Sequence, residues 1–413
     1  MGYHFTRADV DYLRGSAGQA ALTAVRERPL SAASLLGDLE AVRREYGEYT
    51  AALVETVRLS RRAAAKLDDA ADWLLTDDAL QQATPSVVAR HRARRLAGRA
   101  VHDITCSVGA ELVALQQVCP AVIGSDLDRV RLAMAAHNVA ATPNVALVRA
   151  DALWPCTTET VVIADPARRA DGRRTHDPAK LQPPLPDLLE VYRGRDLVVK
   201  CAPGLDFDRF AGGGPSTATP PRSARAAGDY AGLSWDGEVE VVSLDGTVRE
   251  ACLWSRGLAE SGVSRRATVL HGDGAGWTLT DADTDDIPER APGAWIVDPD
   301  GAVVRAGLVR HYAAKYGLWQ LDPRIAYLTG DSVPPGVRGF RVLDRFEYRE
   351  KALRAELHRR DCGPLEILTR GVDVDPDALR RRIKPRGGVA HTVVLTRIGR
   401  TATAFVCETP PVR

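Results

Sequence analysis

VHDITCSVGAE, at residues 101–111, decides the fold of the central part of this chain, because it joins a short apolar strand to a turn and the start of a helix. Downstream of it, candidates for strands and helices alternate. The strands are expected at residues 121–126, 144–151, 160–165 and 196–200, and the helices at 110–118, 129–141 and 185–192. This order predicts a parallel sheet that is covered by helices on both faces.

A hairpin is expected to complete the sheet. Two apolar runs, 238–244 and 248–254, flank Asp245-Gly246, a pair that is typical of a tight turn between antiparallel strands. A parallel run that ends in an antiparallel hairpin differs from the simplest dinucleotide-binding fold. We therefore predict an α/β fold with a Rossmann-like, mostly parallel sheet.

The 413 residues are enough for two or three domains. Residues 1–98 show helical spacing of apolar residues and lack strand-like runs, so they are predicted to form a helical domain. The sheet domain is expected at 99–258, a hairpin or linker at 259–291, and an α+β domain at 292–413. That last part is expected to combine short strands with helices, one of them at residues 303–316. A Gly-, Pro- and Ser-rich stretch at 211–227 is predicted to be a loop.

Composition excludes several classes of protein. The hydrophobic share of 45% argues against a disordered chain, and 55 basic against 54 acidic residues leave a net charge of +1. Contact with a nucleic acid would therefore need a local basic patch. None of the seven cysteines forms a C-x-x-C pair, so no zinc site or disulfide framework is expected, and a reducing cytoplasm fits. No apolar run is long enough to span a membrane.

The turn after the first predicted strand favours a cationic ligand over a diphosphate. It contains a single glycine, Gly109, and a carboxylate, Asp103, where a dinucleotide fold needs several glycines around a pyrophosphate. S-adenosylmethionine carries an ammonium and a sulfonium and no phosphate. Asp126 ends the second strand, 23 residues after Asp103, where an acid can bind both ribose hydroxyls. The alternative for Asp103 is that it only caps the next turn.

Two later strands also end in acids. Asp151 follows the third strand and is placed to reach an adenine amino group, although aspartate often ends strands without such a role. The fourth strand runs into Asp165-Pro166, which presents a carboxylate and a stiff turn at the expected position of the methyl acceptor. Asp165, Pro166 and Arg168 are the predicted catalytic residues. Arg168 would hold a phosphate or a base, or belong to a solvated turn.

With these strand ends, residues 80–255 resemble the class I S-adenosylmethionine-dependent methyltransferases, which implies a seven-stranded sheet. The segment QATPSVVA at 82–89 followed by Asp103 is similar to the trimethylguanosine synthase branch of RNA methyltransferases. The resemblance implies that the residues before the first strand cover the cofactor and that acids hold it. The cofactor-binding residues expected from it and from the neighbouring loop positions are Thr84, Pro85, Asp103, Thr105, Ser107, Gly109, Asp126, Leu127, Asp151 and Ala152. An aromatic residue that amine methylators carry after Asp165-Pro166 is missing here.

The whole layout is similar to a bacterial family with this core and a THUMP-like C-terminal domain. The stretches that carry the resemblance are WQLDPRIAYLTGD at 319–331, PLEI at 364–367 and RGVDVDP at 370–376. The resemblance implies RNA as the substrate class, tRNA or rRNA above all. Three local basic clusters, at 90–95, 168–174 and 380–386, are candidates for phosphate contacts, or are solvated helix faces.

Other functions remain open at this stage. Cys201 with Lys200 before it resembles the nucleophile of RNA pyrimidine C5-methyltransferases, but a buried cysteine at a strand end gives the same pattern. The main hypothesis is methyl transfer to a base in tRNA or rRNA. The alternatives are an RNA-binding protein whose methyltransferase core is impaired, and a methyltransferase that acts on a small molecule.

Overall fold

The computed structural model describes residues 2–139, 142–167, 169–170, 173–174, 177–205 and 235–409. The predicted loop at 211–227 and the candidate residue Arg168 lie outside this part of the chain. No helix within it is long and apolar enough to cross a membrane.

The N-terminal region is helical, as its apolar periodicity predicts. Its α-helices are α1 (Arg7–Arg14), α2 (Ser16–Arg26), α3 (Leu35–Tyr46), α4 (Thr50–Ala63), α5 (Asp77–Gln82) and α6 (Ser86–Arg95). Thr6 and Asp9 form a capping box that begins α1, and the Thr76 side chain caps α5. The buried faces of α1 to α5 form one hydrophobic cluster that includes Val108 and Met134 from the sheet domain. The helical region therefore packs directly on the sheet domain.

The central region alternates strands and helices. It comprises β1 (Val101–Asp103), α7 (Ala110–Leu115), β2 (Val122–Asp126), α8 (Arg129–Asn138), β3 (Val145–Arg149), β4 (Val161–Ala164), β5 (Arg169–Ala170), β6 (Arg173–Arg174), α9 (Leu185–Val191), β7 (Leu197–Cys201), β8 (Gly237–Leu244), β9 (Thr247–Ser255), β10 (Arg265–Leu270) and β11 (Gly276–Thr280). The main sheet has the order β11-β10-β8-β9-β7-β4-β1-β2-β3. Strands β1, β2, β3, β4 and β7 are parallel, and β9 is antiparallel to both β7 and β8.

This topology confirms the predicted Rossmann-like, mostly parallel sheet with an antiparallel hairpin. The sheet has nine strands rather than seven, because β10 pairs in parallel with β8 and β11 pairs with β10. These two strands come from the segment 259–291, which the sequence analysis treats as a hairpin or linker. Since β1 to β4 and β7 run in the same direction, their carboxyl ends share one edge of the sheet.

The C-terminal region forms a second, mostly antiparallel sheet with its own helices. Its elements are β12 (Trp295–Asp298), α10 (Gly301–Arg305), α11 (Val309–Tyr316), β13 (Trp319–Asp322), β14 (Ile325–Gly330), β15 (Arg338–Glu347), α12 (Glu350–Arg359), β16 (Cys362–Arg370), α13 (Pro376–Ile383), β17 (Val389–Ile398) and β18 (Thr401–Glu408). The strand order is β13-β14-β12-β15-β18-β17-β16. The helix predicted at 303–316 is two helices, since Gly307 adopts φ +78° between them.

The two sheets share a hydrophobic core. Val297, Val303 and Leu328 of the C-terminal region belong to the same buried cluster as Val241 and Ala267 of β8 and β10. Helices α10 and α11 lie between the sheets and fill this core. The C-terminal region is therefore held firmly against the strands that end the main sheet.

Candidate active site

A cavity of about 710 Å³ opens at the carboxyl edge of the parallel strands. Its walls come from the loops after β1, β2, β3 and β4, the end of β7, the end of α5 and residues 179–184. Ligand sites in proteins span roughly 300–1,000 Å³, so this volume suits a ligand of nucleoside size together with an acceptor group.

Most of the residues predicted from the sequence come together around this cavity. Those that line it are Thr84, Asp103, Thr105, Ser107, Asp126, Leu127, Asp151, Ala152 and Asp165. Pro85, Gly109 and Pro166 do not line it. Pro85 occupies the position before α6, Pro166 is buried, and Gly109 faces α8, where an added Cβ would lie 3.3 Å from the Ala135 side chain.

Asp103 is buried at the end of β1, with a side chain that both caps a turn and lines the cavity. Its Oδ1 accepts a hydrogen bond from the Thr105 backbone NH at 3.0 Å, so capping of the turn is compatible with a place in the cavity wall. Burial raises the pKa of Asp103 to about 7, and the nearby carboxylate of Glu111 adds to this effect. A cation that enters the cavity would restore the charged form of Asp103.

Asp126 fixes the turn that follows β1 and closes the loop after β2. Its Oδ2 accepts from the Ser107 backbone NH at 3.0 Å, and its Oδ1 accepts from the Asp128 NH at 2.8 Å. Ser107 has φ +49°, an unusual conformation for a residue with a side chain, which the bond from its own NH to Asp126 stabilises. Each carboxylate oxygen has a second lone pair, so Asp126 can still accept from the hydroxyls of a ribose.

Asp165 and Lys200 form an ion pair in the opposite wall of the cavity. The Asp165 backbone NH also donates to the Thr105 hydroxyl at 2.7 Å, which ties the end of β4 to the first turn. Burial by itself lowers the pKa of Lys200, but Asp165 and Glu250 outweigh it and raise the pKa overall. Lys200 therefore stays charged and holds the Asp165 carboxylate in place.

Cys201 does not support a covalent mechanism. Its side chain is 1% exposed, belongs to the hydrophobic core and does not line the cavity. Successive residues of a strand point to opposite faces. Because Lys200 faces the cavity, the neighbouring Cys201 points away from it. The interpretation as a buried cysteine at a strand end is the one that the geometry favours.

The basic cluster at 90–95 is largely internal, which overturns its candidacy as a phosphate-binding face. Arg92 is 1% exposed and pairs with Glu111 and Glu250. Arg95 bonds to Glu238 and Glu240 of β8. Helix α6 therefore uses its arginines to cover the acidic face of the hairpin. Its exposed cation, Arg94, makes no ion pair with a described residue.

Further residues that the sequence does not single out complete the walls. Glu111 lies on α7, Lys200 on β7, and residues 179–184 close one side of the cavity. No motif marks these positions in the sequence. The sequence suggests Lys200 only as a partner of Cys201, but the alternation of side chains along β7 puts the two on opposite faces, and Lys200 pairs with Asp165 instead.

The donor set fits S-adenosylmethionine. Asp103, Asp126 and Asp151 would offer carboxylates to a ligand that carries a sulfonium and an ammonium, whereas a diphosphate would be repelled by them. Leu127, Ala152 and other apolar side chains give surfaces for an adenine ring. When bound, the cofactor supplies a methyl carbon already activated by the sulfonium.

A parallel sheet with acids at successive strand ends, around one cavity, is the arrangement expected of a Rossmann-like methyltransferase. The chain is 53% identical over 378 residues to an uncharacterized S-adenosylmethionine-dependent methyltransferase of Mycobacterium tuberculosis H37Rv, with 89% of this chain and 99% of the relative covered. The same values hold for its counterpart in strain CDC 1551. The chain belongs to this family of S-adenosylmethionine-dependent methyltransferases, and it is an enzyme that uses this cofactor.

Further comparisons agree with the fold. A crystal structure of a "putative methyltransferase" from Porphyromonas gingivalis W83 is similar with a TM-score of 0.70 at 17% identity, covering 98% of this chain and 100% of that one. Residues 337–409 match the THUMP domain-like family, as the sequence resemblance predicted. Residues 6–63 match a family described as a domain of unknown function.

Proposed function

We propose that this enzyme transfers the methyl group of S-adenosylmethionine to a base in RNA, in tRNA or rRNA of the cytoplasm. The observation that carries the proposal is the THUMP domain-like match over residues 337–409, because THUMP domains bind RNA. The seven cysteines, none of which is in a disulfide, fit a reducing compartment.

The distribution of charge supports an RNA partner for the C-terminal region. Residues 337–409 contain 16 Arg and Lys against 10 Asp and Glu, although the net charge of the whole chain is only +1. Arg381, Lys384 and Arg386, at the end of α13, are exposed and make no ion pair with a described residue. Such cations bind phosphates of a nucleic acid backbone.

In this proposal the cofactor occupies the acidic part of the cavity. Asp126 accepts from the ribose hydroxyls, Asp151 from the adenine amino group, and Asp103 faces the cationic methionine part. Thr84 and its neighbours, which precede β1, cover the ligand and exclude water. The residues thereby align the activated carbon, which is what a displacement of this kind chiefly needs.

Asp165 is the proposed contact to the methyl acceptor. Lys200 pairs with its carboxylate and the Thr105 hydroxyl accepts from its backbone NH, so the positioned carboxylate can accept a hydrogen bond from an N–H of the base. A carboxylate held in place as a hydrogen-bond acceptor orients the base without a covalent intermediate. This role agrees with the position of Cys201 outside the cavity.

The test is transfer of labelled methyl from S-adenosylmethionine to total RNA from a strain that lacks the gene. We expect label in that RNA and little label in RNA from the parent strain, where the target is already methylated. Label in a small-molecule extract with none in RNA would contradict the proposal. Calorimetry with the cofactor on the same sample controls for an intact cofactor site.

A further inference from the structure

We propose that Lys66 and Arg249 form a phosphate-binding subsite beside the Asp165–Lys200 pair and hold a phosphate of the nucleotide that is methylated. This inference rests on the proposed function, since it assigns a part of the site to a phosphate of the nucleotide that accepts the methyl group. It concerns residues that the sequence analysis did not single out.

The strand-end aspartates are gathered at one end of the cavity, although Arg131 and Lys180 also line it. Asp103, Asp126 and Asp151 lie on the side formed by β1, β2 and β3. The side formed by β4 and β7 carries the Asp165–Lys200 pair, which is close to neutral. Neither Lys66 nor Arg249 lines the cavity itself, but Lys66 lies close to Lys200, Asp165 and Arg249. The two cations therefore add positive charge beside this second side, which suits an anionic group.

Lys66 reaches this side from the segment after α4. Its Nζ donates to the backbone carbonyls of Leu80 and Gln81, at 2.9 and 3.0 Å, and the next residue, Gln82, lines the cavity. The third ammonium hydrogen has no partner among the described residues. Burial, together with the charges of Lys200 and Arg249, lowers the pKa of Lys66 to about 8, and Asp165 offsets this only in part.

Arg249 is brought to the same place by an irregularity in β9. Val242 pairs with Glu250 and Ser243 pairs with Val248, so Arg249 is the extra residue of a β-bulge. The last pair between β7 and β9 is Cys201 with Ala251, which places Arg249 just beyond the end of β7. A bulge breaks the alternation of side chains, and bulges next to active sites commonly re-aim one of them.

A phosphate is the anion that this arrangement fits. An arginine fork and an ammonium from two separate elements can grip its oxygens, and neither cation makes an ion pair with a described residue. A half-buried ammonium without a carboxylate partner is costly, and a bound anion would remove that cost. A phosphate here would lie next to the base that contacts Asp165.

The experiment compares the wild type with Lys66→Gln, Arg249→Gln and the double variant. Arg58→Gln, which removes an exposed cation on α4, is the matched control, and Lys66→Arg tests rescue by charge. We expect KM for RNA to rise about fivefold to tenfold in each single variant while kcat changes less than twofold. The salt dependence of RNA binding should weaken by roughly 0.7 in slope for each cation removed. Affinity for S-adenosylmethionine should stay within twofold, which also shows that the variants fold.

A second arm uses inorganic phosphate alone, titrated by calorimetry at low salt into the wild type and the double variant. Binding that is lost in the double variant supports the subsite, even if no RNA is methylated; in that case the proposed RNA substrate fails and a small phosphorylated acceptor takes its place. Equal phosphate binding by both proteins, or unchanged KM for RNA in every variant of an active enzyme, would overturn the subsite.

Discussion

Asp103 combines deep burial with a place in the cavity wall, and its ionisation is therefore coupled to the ligand. With its pKa raised to about 7 by burial, Asp103 is mostly protonated at pH 6 and mostly charged at pH 8. A cationic ligand binds the charged form better. We expect the affinity for S-adenosylmethionine to rise about tenfold between pH 5.5 and 7.5, a range in which the ligand's ammonium stays mostly protonated.

Calorimetry across this pH range measures the effect. Asp103→Asn is the control, since it keeps the shape and the bond from Thr105 but cannot ionise. It should bind the cofactor weakly with little dependence on pH. An affinity of the wild type that does not change over the range would contradict the role given to Asp103.

The two members of the Asp165–Lys200 pair are expected to differ in their effect on stability. The Lys200 side chain is 6% exposed and the Asp165 side chain 33%. Asp165→Asn leaves a buried ammonium without its partner and should destabilise the sheet domain by about 3 kcal/mol. Lys200→Met removes the buried charge and lets water reach Asp165. It should therefore lower the free energy of unfolding by less than Asp165→Asn does, but it should lower kcat more than tenfold.

Urea unfolding and steady-state kinetics on the two variants check this difference. Equal losses of stability would mean that the ammonium has other sufficient partners, such as Glu250. A Lys200→Met enzyme with normal kcat would show that Asp165 does not need to be held.

Acids at strand ends could be predicted from the sequence, because an apolar run that stops at an aspartate indicates both where the strand ends and that a carboxylate lies there. Asp103, Asp126, Asp151 and Asp165 were found in this way, and all four line the cavity. Gly109 is expected at the cofactor from the family resemblance, whereas in the structure its left-handed backbone precedes α7 and its Cα faces α8. Which purpose a glycine serves depends on contacts that are distant in sequence.

At the scale of elements, α6 shows how tertiary contacts decide the use of a basic sequence. Arg92 is buried between two glutamates, whereas Arg94 on the same helix is exposed. Arg92→Met should destabilise the protein by roughly 3 kcal/mol or more, because it leaves buried carboxylates unpaired. Arg94→Gln should change the stability by less than about 0.5 kcal/mol.

The midpoints of urea unfolding for these two variants give the comparison. RNA affinity measured on both should stay close to that of the wild type. A stable Arg92→Met protein with weakened RNA binding would restore the interpretation of this cluster as a phosphate-binding face.

The parallel strands and the hairpin were predictable since each is a local pattern of apolar residues and turn residues. The pairing of β10 with β8 could not be predicted, because parallel strands are joined by long connections and the residues of neither strand indicate which strand it pairs with. The bulge at Arg249 could not be predicted from the sequence either. It depends on the register between β8 and β9, and a single strand does not show the register.

At the scale of the whole molecule, acids line the cavity of the main sheet, whereas basic residues predominate in the C-terminal region. This distribution of charge relates the two sheets to one function. The net charge of +1 conceals an excess of basic residues in 337–409. A variant with Arg381→Gln, Lys384→Gln and Arg386→Gln should bind RNA more weakly, and the slope of log affinity against log salt should fall by about 2. Its affinity for S-adenosylmethionine should not change.

Filter binding with tRNA or rRNA at several salt concentrations provides these slopes. Glu347→Gln and Asp373→Asn, in the same domain, are charge controls of opposite sign. If the triple variant kept the slope of the wild type, the RNA would have to contact another surface.

The central claim is that acids at the carboxyl edge of the sheet hold S-adenosylmethionine, and calorimetric titration of Asp126→Asn and Asp128→Asn tests it most directly. Asp126 lines the cavity, whereas Asp128 caps α8 two residues further on, a role that asparagine fills well. We predict a loss of affinity of at least tenfold for Asp126→Asn and less than twofold for Asp128→Asn. Equal affinities for the two variants and the wild type would contradict the claim.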